Sequence, residues 1–285
     1  MRWRTNRESR NVEDRRGVSG GQVVAGGGIA GLIIYLLFAF LGGGEVDPSQ
    51  IPSITTTNQS RELSPQEQAK DEQRATLVKQ VLGETEAVWG KLFREQGSTY
   101  REPVLVLYRG QVSSACGYGS AAMGPFYCPG DSKLYIDLSF NEQLEKLTNQ
   151  DQVQFAMAYV VAHEVGHHIQ NLNGTAQQMQ RLRGRVSEAE FNKYSVKMEL
   201  QADFLAGVWA HHAQKSNLIL DPGDLEEALR AANAIGDDMI QKRSQGYVVP
   251  DAFTHGTSAQ RMYWFKKGFT TGDVSQGDTF NDPSI

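Results

Sequence analysis

The sequence predicts an α+β fold, a mostly helical domain with a small β-sheet, preceded by one transmembrane helix. Long stretches carry apolar residues at helical spacing, the longest running from Ser64 to about Glu95 and from about Glu188 to Gln214. Two short stretches rich in β-branched, aromatic and leucine residues, 103–108 and 133–140, indicate strands of a small sheet. Residues 23–41 form an uncharged run of 19 residues, which is long enough to cross a bilayer.

The chain before this apolar run is rich in arginine. Six arginines stand against three acids before residue 23. Because basic residues favour the cytoplasmic side of a membrane, we expect residues 1–22 in the cytoplasm and the domain outside it. No small-x-small cleavage site follows the run, so we interpret 23–41 as an uncleaved signal anchor. The spacing of Gly27 and Gly31 is compatible with oligomerisation through this helix.

The rest of the chain divides by composition. Residues 42–63 are rich in glycine, proline and small polar residues and are expected to form a flexible linker. The domain is expected at 64–268, followed by a loose polar tail at 269–285. Beyond residue 41 there are 22 basic and 30 acidic residues, a balance that argues against nucleic-acid binding.

Residues 153–172 predict a mostly buried helix that carries the motif His163-Glu164-Val165-Gly166-His167. Residues four apart lie on one face of a helix, so His163 and His167 can reach the same metal ion. Glu164 is turned away from the ligand direction and is placed to act as a general base. Since burying unpaired polar groups costs several kcal/mol, the motif favours a zinc hydrolase site over a solvated helix face.

Gly166 lies in the middle of this helix. A glycine there costs about 1 kcal/mol relative to alanine. We therefore predict that another element of the fold approaches the helix closely at Gly166.

A catalytic zinc needs a third protein ligand besides the two histidines, with one position left open. Glu199 is the ligand we predict, and Asp203, four residues later, can accept a hydrogen bond from a ligand imidazole. The competing ligands are His168, His211 and His212. The alternative for Glu199 and Asp203 is an ordinary acidic helix face.

Cys116 and Cys128 are the only cysteines of the chain. Outside the cytoplasm, two cysteines around a short glycine-rich loop favour a disulfide, worth roughly 3 kcal/mol. The alternative, two thiolate ligands for a metal, lacks the C-x-x-C spacing.

Two stretches, A-Y-V-V-A-H-E-V-G-H-H-I-Q and M-E-L-Q-A-D-F-L-A-G, together with the cysteine loop, resemble a bacterial family of neutral zinc metallopeptidases. That family is anchored in the membrane by a single span, here the bacterial inner membrane. The sequence is more distantly similar to the gluzincin peptidases. The resemblance implies a zincin-like fold, a Zn²⁺ ion held by His163, His167 and Glu199, and Glu164 as the base.

The late segment H-G-T-S-A-Q-R also resembles a gluzincin stretch. This resemblance implies that His255 steadies an oxyanion and that Arg261 helps to hold the active-site acids. Gly256 stands where proline is usual, and a surface histidine before a capped helix is the alternative for His255.

The function we expect is that of a membrane-anchored zinc metallopeptidase acting on a peptide or protein substrate outside the cytoplasm, in the periplasm. One alternative is a zinc-stabilised binding or adaptor domain without catalysis. Another is a zinc hydrolase that acts on a non-peptide amide. The presence of Glu164 disfavours the adaptor, because a purely structural zinc site needs no base.

Overall fold

A computed structural model describes residues 7–17, 63–148, 153–217, 220–221 and 223–285. The expected transmembrane helix at 23–41 lies outside these residues, as does the linker up to residue 62. Among the residues that the structure describes, no helix is both long enough and apolar enough to cross a membrane.

A small sheet forms beside the helices, as the sequence predicted. Three of its strands are parallel, and the fourth, β5, pairs antiparallel with β6 and forms one edge. The strand order is β1 (Val12–Asp14), β2 (Val104–Tyr108), β6 (Lys133–Asp137) and β5 (Phe126–Cys128), with a separate hairpin of β3 (Gln111–Ser114) and β4 (Gly117–Ser120).

The disulfide predicted between Cys116 and Cys128 is present, with an S–S distance of 2.01 Å. Cys116 lies in the turn of the β3–β4 hairpin, and Cys128 ends β5. The bond therefore ties the hairpin to the edge strand of the sheet.

Helices make up most of the described chain, which agrees with the predicted fold class. Their bounds are α1 (Pro65–Glu95), α2 (Phe140–Thr148), α3 (Gln154–Leu172), α4 (Thr175–Leu182), α5 (Glu188–Asn217), α6 (Asp224–Ala234), α7 (Asp237–Gln245) and α8 (Ser258–Thr271).

Helix α3 lies at the centre of this packing. It contacts α1, α5 and α6 as well as the edge strand β5, and its apolar side chains are almost entirely buried. A carboxylate oxygen of Glu227 in α6 accepts the backbone N–H groups of Phe155 and Ala156, at 2.9 and 3.0 Å. The negative charge thus satisfies donors that the start of a helix leaves open.

The N-terminal arm, residues 7–17, contains a strand that the sequence did not predict. Within the arginine-rich segment 1–22, Val12–Asp14 forms β1 and pairs in parallel with β2. The strand was missed because β1 is only three residues long and carries two acids, so it has no visible strand pattern of its own.

The C-terminal tail also departs from the prediction of a loose segment. Thr279 is fully buried, and its hydroxyl donates to the backbone oxygen of Lys197 in α5 at 2.6 Å. Gln201 donates to the backbone oxygen of Gly277 at 3.1 Å, and the Lys197 ammonium donates to that of Phe280 at 2.9 Å. The polar tail is ordered because its backbone and hydroxyl groups pair with α5.

Candidate metal centre

Three side chains that could bind a metal meet where α3 and α5 pack together. His163 and His167 come from α3 and Glu199 from α5, and one ligand atom of each lies within 4.8 Å of the others. The Nε2 atom of His163 is 3.1 Å from Oε2 of Glu199, and the Nε2 atom of His167 is 3.4 Å from Oε1. The two nitrogens and the carboxylate thus surround a single point.

Gly166 allows α5 to approach α3 at this level. A Cβ atom at position 166 would lie 2.9 Å from the backbone oxygen of Ala202 and 3.0 Å from its Cα. The predicted close approach at Gly166 is therefore confirmed, and the neighbouring element is α5.

His163 is held in one tautomer by Asp203. Its Nδ1 atom lies 2.8 Å from Oδ1 of Asp203, which is fully buried and can only accept while it is ionised. Nδ1 must therefore carry the proton. Nε2 is left to face Glu199 and the metal position, where it donates to Glu199 while it is protonated and could bind a metal once that proton is lost.

Gln170 does the same for His167. The Gln170 amide nitrogen donates to the backbone oxygen of Met198 at 2.7 Å, which fixes the amide orientation. Its oxygen, Oε1, then lies 2.8 Å from Nδ1 of His167 and accepts a hydrogen bond from the Nδ1–H group. Both imidazoles consequently turn Nε2 towards the same point.

Asp203 is in turn fixed by two neighbours. Arg261 of α8 donates to it from Nε at 2.8 Å and from Nη2 at 3.0 Å, and the hydroxyl of Tyr159 also donates to it. Burial by itself raises the pKa of Asp203, but Arg261 and His163 outweigh burial and lower the pKa to about 2. Asp203 is therefore ionised over the physiological range.

The two imidazoles lie in a negatively charged environment. Burial lowers the pKa of His163, but Asp203 and Glu199 outweigh it and raise the pKa to about 10. Burial likewise opposes protonation of His167, yet Glu199 raises its pKa. The site therefore favours positive charge, as a cation would supply.

Glu164 is buried beside this point and is not one of the three metal-binding residues. Burial raises the pKa of its carboxyl group, while His167 and His163 lower it in part. The backbone N–H of Tyr127 in β5 donates to the carboxylate. Since Tyr127 is on the edge strand, this edge of the sheet faces Glu164.

His168 connects α3 to β5 and does not point at the metal position. Its Nε2 atom lies 2.6 Å from the backbone oxygen of Arg101 and must donate to it. Nδ1 is therefore the acceptor, and the hydroxyl of Tyr127 donates a hydrogen bond to it at 2.9 Å. Asn171 donates to the same Tyr127 oxygen at 2.9 Å. This chain of hydrogen bonds fixes the edge strand relative to the helix that carries Glu164.

His255 lies in the segment before α8, with a half-exposed side chain. Its Nδ1 atom is 3.1 Å from Oδ1 of Asp237, and Oδ2 of Asp237 accepts the backbone N–H groups of Thr254 and His255 at 2.7 and 2.6 Å. Partial burial lowers the pKa of His255, but Asp237 and the charge of Glu199 give a net increase. Asp237 and Glu199 thus both favour the protonated ring of His255.

Comparison with known proteins places the chain in a family. The model of the family described as "Putative neutral zinc metallopeptidase" matches residues 1–280. The chain belongs to this family.

Two relatives span different parts of the chain. The Escherichia coli K12 protein YpfJ, which is named as uncharacterised, is 46% identical over 98% of this chain and 99% of its own length. The Mycobacterium tuberculosis H37Rv protein Rv2575, named in the same way, is 42% identical over 69% of this chain and 67% of its own length. No solved structure gives a significant match.

Zn²⁺ is the metal that the neutral zinc metallopeptidase family implies, and the residues fit it. Zinc takes nitrogen and carboxylate ligands at about 2.0–2.2 Å, so two ligands of a tetrahedral ion lie about 3.4 Å apart. The distances of 3.1 and 3.4 Å from Glu199 to the two histidines match this spacing. His163, His167 and Glu199 could therefore hold Zn²⁺ and leave one position open.

The other two candidate histidines lie elsewhere. The rings of His211 and His212 lie 2.8 Å from the backbone oxygens of Phe269 and Gly272, at the C-terminal end of α8. They join two helices and take no part in the cluster.

Sequence reasoning missed Tyr159, Gln170 and Asp237 as parts of the site. Tyr159 and Gln170 lie four residues before His163 and three residues after His167, so helical spacing could have found them. Asp237 comes from a different helix, 18 residues before His255, and no local pattern marks it.

Proposed function

We propose that this chain is a zinc metallopeptidase that hydrolyses peptide bonds with Glu164 as general base. The observation that carries the proposal is the division of roles within one motif. His163 and His167 face Glu199 through their Nε2 atoms, while Glu164 is buried beside them and belongs to no part of the metal-binding set. A site that served structure alone would have no use for this extra carboxylate.

The mechanism assigns one step to each side chain. Zinc, when bound, supplies Lewis acidity that lowers the pKa of water to about 7 and polarises a carbonyl group. Glu164 takes a proton from the attacking water and later gives it to the leaving amine. His255, with a raised pKa and its Nδ1 on Asp237, donates from Nε2 to the developing oxyanion.

A peptide substrate fits the open edge of the sheet. β5 is an edge strand, and the backbone N–H of Tyr127 points to Glu164 instead of a neighbouring strand. An extended peptide can pair with such an edge through its main chain. Bound there, its backbone would pass next to the base.

We place this activity outside the cytoplasm, at the bacterial inner membrane. The Cys116–Cys128 disulfide supports an oxidising compartment. The uncharged run at 23–41 supports attachment to a membrane.

The test is a comparison of three substitutions in the purified full chain. Glu164→Gln should retain one zinc per chain and lose peptide hydrolysis by about 10²–10⁴-fold, because the proton acceptor is removed. His163→Ala should lose the zinc as well. Glu190→Gln, an exposed glutamate on α5, is the control and should keep both zinc and activity.

Peptide cleavage and bound zinc are measured by mass spectrometry on a peptide mixture and by elemental analysis. Equal cleavage by wild type and Glu164→Gln would refute the proposed base. Stoichiometric zinc without any peptide turnover in wild type would favour the adaptor function. Turnover restricted to non-peptide amides would favour the alternative hydrolase.

A further inference from the structure

The N-terminal arm is built into the fold of the domain. β1 continues the sheet beyond β2, with Val12 opposite Leu105 and Asp14 opposite Leu107. The backbone N–H of Leu105 donates to Asn11, and that of Arg15 donates to Leu107, both at 2.8 Å. The arm thus satisfies the backbone groups that an exposed edge of β2 would leave open.

Polar side chains extend this contact on both sides of β1. Before β1, the Ser9 hydroxyl and the Asn11 amide donate to the buried Glu86 of α1 at 2.5 and 2.9 Å. After β1, Arg16 pairs with the buried Asp71 of the same helix. Each of these two buried carboxylates therefore has a partner in the arm.

Glu13, within β1, reaches across β2. Its carboxylate pairs with the ammonium group of Lys133 in β6. The arm is thus linked to two strands and one helix of the domain.

Gly83 lets the arm lie directly on α1. A Cβ atom at this position would be 2.9 Å from the backbone oxygen of Arg7 and 3.1 Å from the backbone nitrogen of Ser9. A glycine in a helix interior costs about 1 kcal/mol relative to alanine. The close approach of the arm explains why position 83 is a glycine, since any side chain there would collide with the arm.

The arm ends close to the point where the domain begins. Arg16 contacts Asp71 and Glu72, the latter at 2.9 Å. These acids lie about 10 Å along α1 from its first residue, Pro65, at 1.5 Å per residue. Residue 17 and residue 63 therefore lie near the same end of α1.

From this docking we infer that residues 7–17 lie in the same compartment as the metal centre. A single membrane crossing between residues 17 and 63 would place the arm and the domain on opposite sides and would leave Asp71 and Glu86 without these partners. The arm with its arginines is therefore on the same side of the membrane as the domain, although the arginine content alone predicted the opposite side.

Cysteine labelling in cells tests the compartment. Arg10→Cys and Lys146→Cys place single thiols at exposed positions of the arm and of the domain. The native cysteines form a disulfide, so the wild-type chain is the unlabelled control. Spheroplasts that express each full-length variant are treated with a membrane-impermeant maleimide, with and without detergent, and a cytoplasmic thiol protein reports leakage.

We expect both thiols to be labelled without detergent. Labelling of Lys146→Cys alone, with Arg10→Cys labelled only after detergent, overturns the inference. If both thiols need detergent, the arm and the domain still share a compartment, and the location outside the cytoplasm fails instead.

Two glycine substitutions test the docking itself in the purified full chain. Gly83→Ala should displace the arm and speed tryptic cleavage after Arg10, Arg15 and Arg16. Gly90→Ala on the same helix is the matched control, because the nearest atom to its Cβ would be a flexible Arg94 side-chain nitrogen at 3.4 Å. It should leave cleavage unchanged. Equal cleavage rates in wild type and Gly83→Ala overturn the docked arm.

Discussion

Asp237 fixes the position of His255 and favours the protonated form of its ring. The carboxylate accepts the backbone N–H groups of Thr254 and His255 and lies 3.1 Å from Nδ1 of the ring. Partial burial lowers the pKa of His255, but Asp237 and Glu199 raise it. His255 should therefore remain protonated to a higher pH than an ordinary histidine.

Replacing Asp237 with asparagine should move the pH profile of the enzyme. Asp237→Asn removes a negative charge that favours imidazolium, so the pKa of His255 falls and less of it is protonated at a given pH. If protonated His255 donates to the oxyanion, the alkaline limb of kcat/KM shifts to lower pH. The profile of kcat/KM against pH, measured with one peptide substrate, gives the shift.

A second acid separates this effect from a general loss of charge. Asp251→Asn removes an exposed carboxylate nearby in the chain and should leave the alkaline limb in place. Circular dichroism should show that both variants are folded. An unchanged alkaline limb in Asp237→Asn would show that His255 does not act in this protonation state.

At the scale of single residues, sequence spacing was enough for part of the site. His163, Glu164 and His167 lie within five residues, and Glu199 and Asp203 within another five, so helix geometry brings each group together. The contact between the two groups depends on how α3 packs against α5. Asp237 could not be predicted, since its partner His255 is reached only through the fold.

Among the elements, the contact between α3 and α5 controls the metal centre. Gly166→Ala should destabilise the protein by about 1–3 kcal/mol, because extra volume in a tight contact costs more than helix propensity returns. The atoms in the way are the backbone oxygen and Cα of Ala202, at 2.9 and 3.0 Å, which can move only with α5. The extra methyl group should push α3 and α5 apart. Urea unfolding should then show lower stability, and competition with a chelator should show weaker zinc binding.

Gly90→Ala is the control for helix propensity alone, because the Cβ would meet only a flexible side chain at 3.4 Å. That variant should be as stable as wild type or more stable, with unchanged zinc affinity. If Gly166→Ala behaved in the same way, the close contact at Ala202 would not be needed for the site.

Elements were predictable where their pattern was long. α1, α3 and α5 each carry several turns of apolar residues at helical spacing, and the predicted positions agree with the structure. The sequence did not predict β1 or the order of the C-terminal tail, and the physical reason is the same for both. Both are short and polar, and their order comes from partners far along the chain, such as Leu105 for Val12 and Lys197 for Thr279.

For the whole molecule, the metal centre joins three separated parts of the chain. α3 provides the histidines, α5 provides Glu199 and Asp203, and α8 provides Arg261, which donates to Asp203 from 58 residues away. A bound cation would link α3 directly to α5. Loss of the ion should therefore lower the free energy of unfolding of the whole domain as well as the activity.

Zinc should raise the thermal stability of the wild-type protein after the metal has been removed with a chelator. A ligand that binds only the folded state at 100 times its Kd stabilises by about 2.7 kcal/mol. For a domain of about 150–250 residues this corresponds to a rise in Tm of roughly 5–10 °C. Calorimetry with and without added zinc measures it, and Glu190→Gln should show the same rise. Glu199→Gln should show much less, because one ligand of the ion is gone. An equal rise in Glu199→Gln and wild type would mean that zinc stabilises the chain at another place.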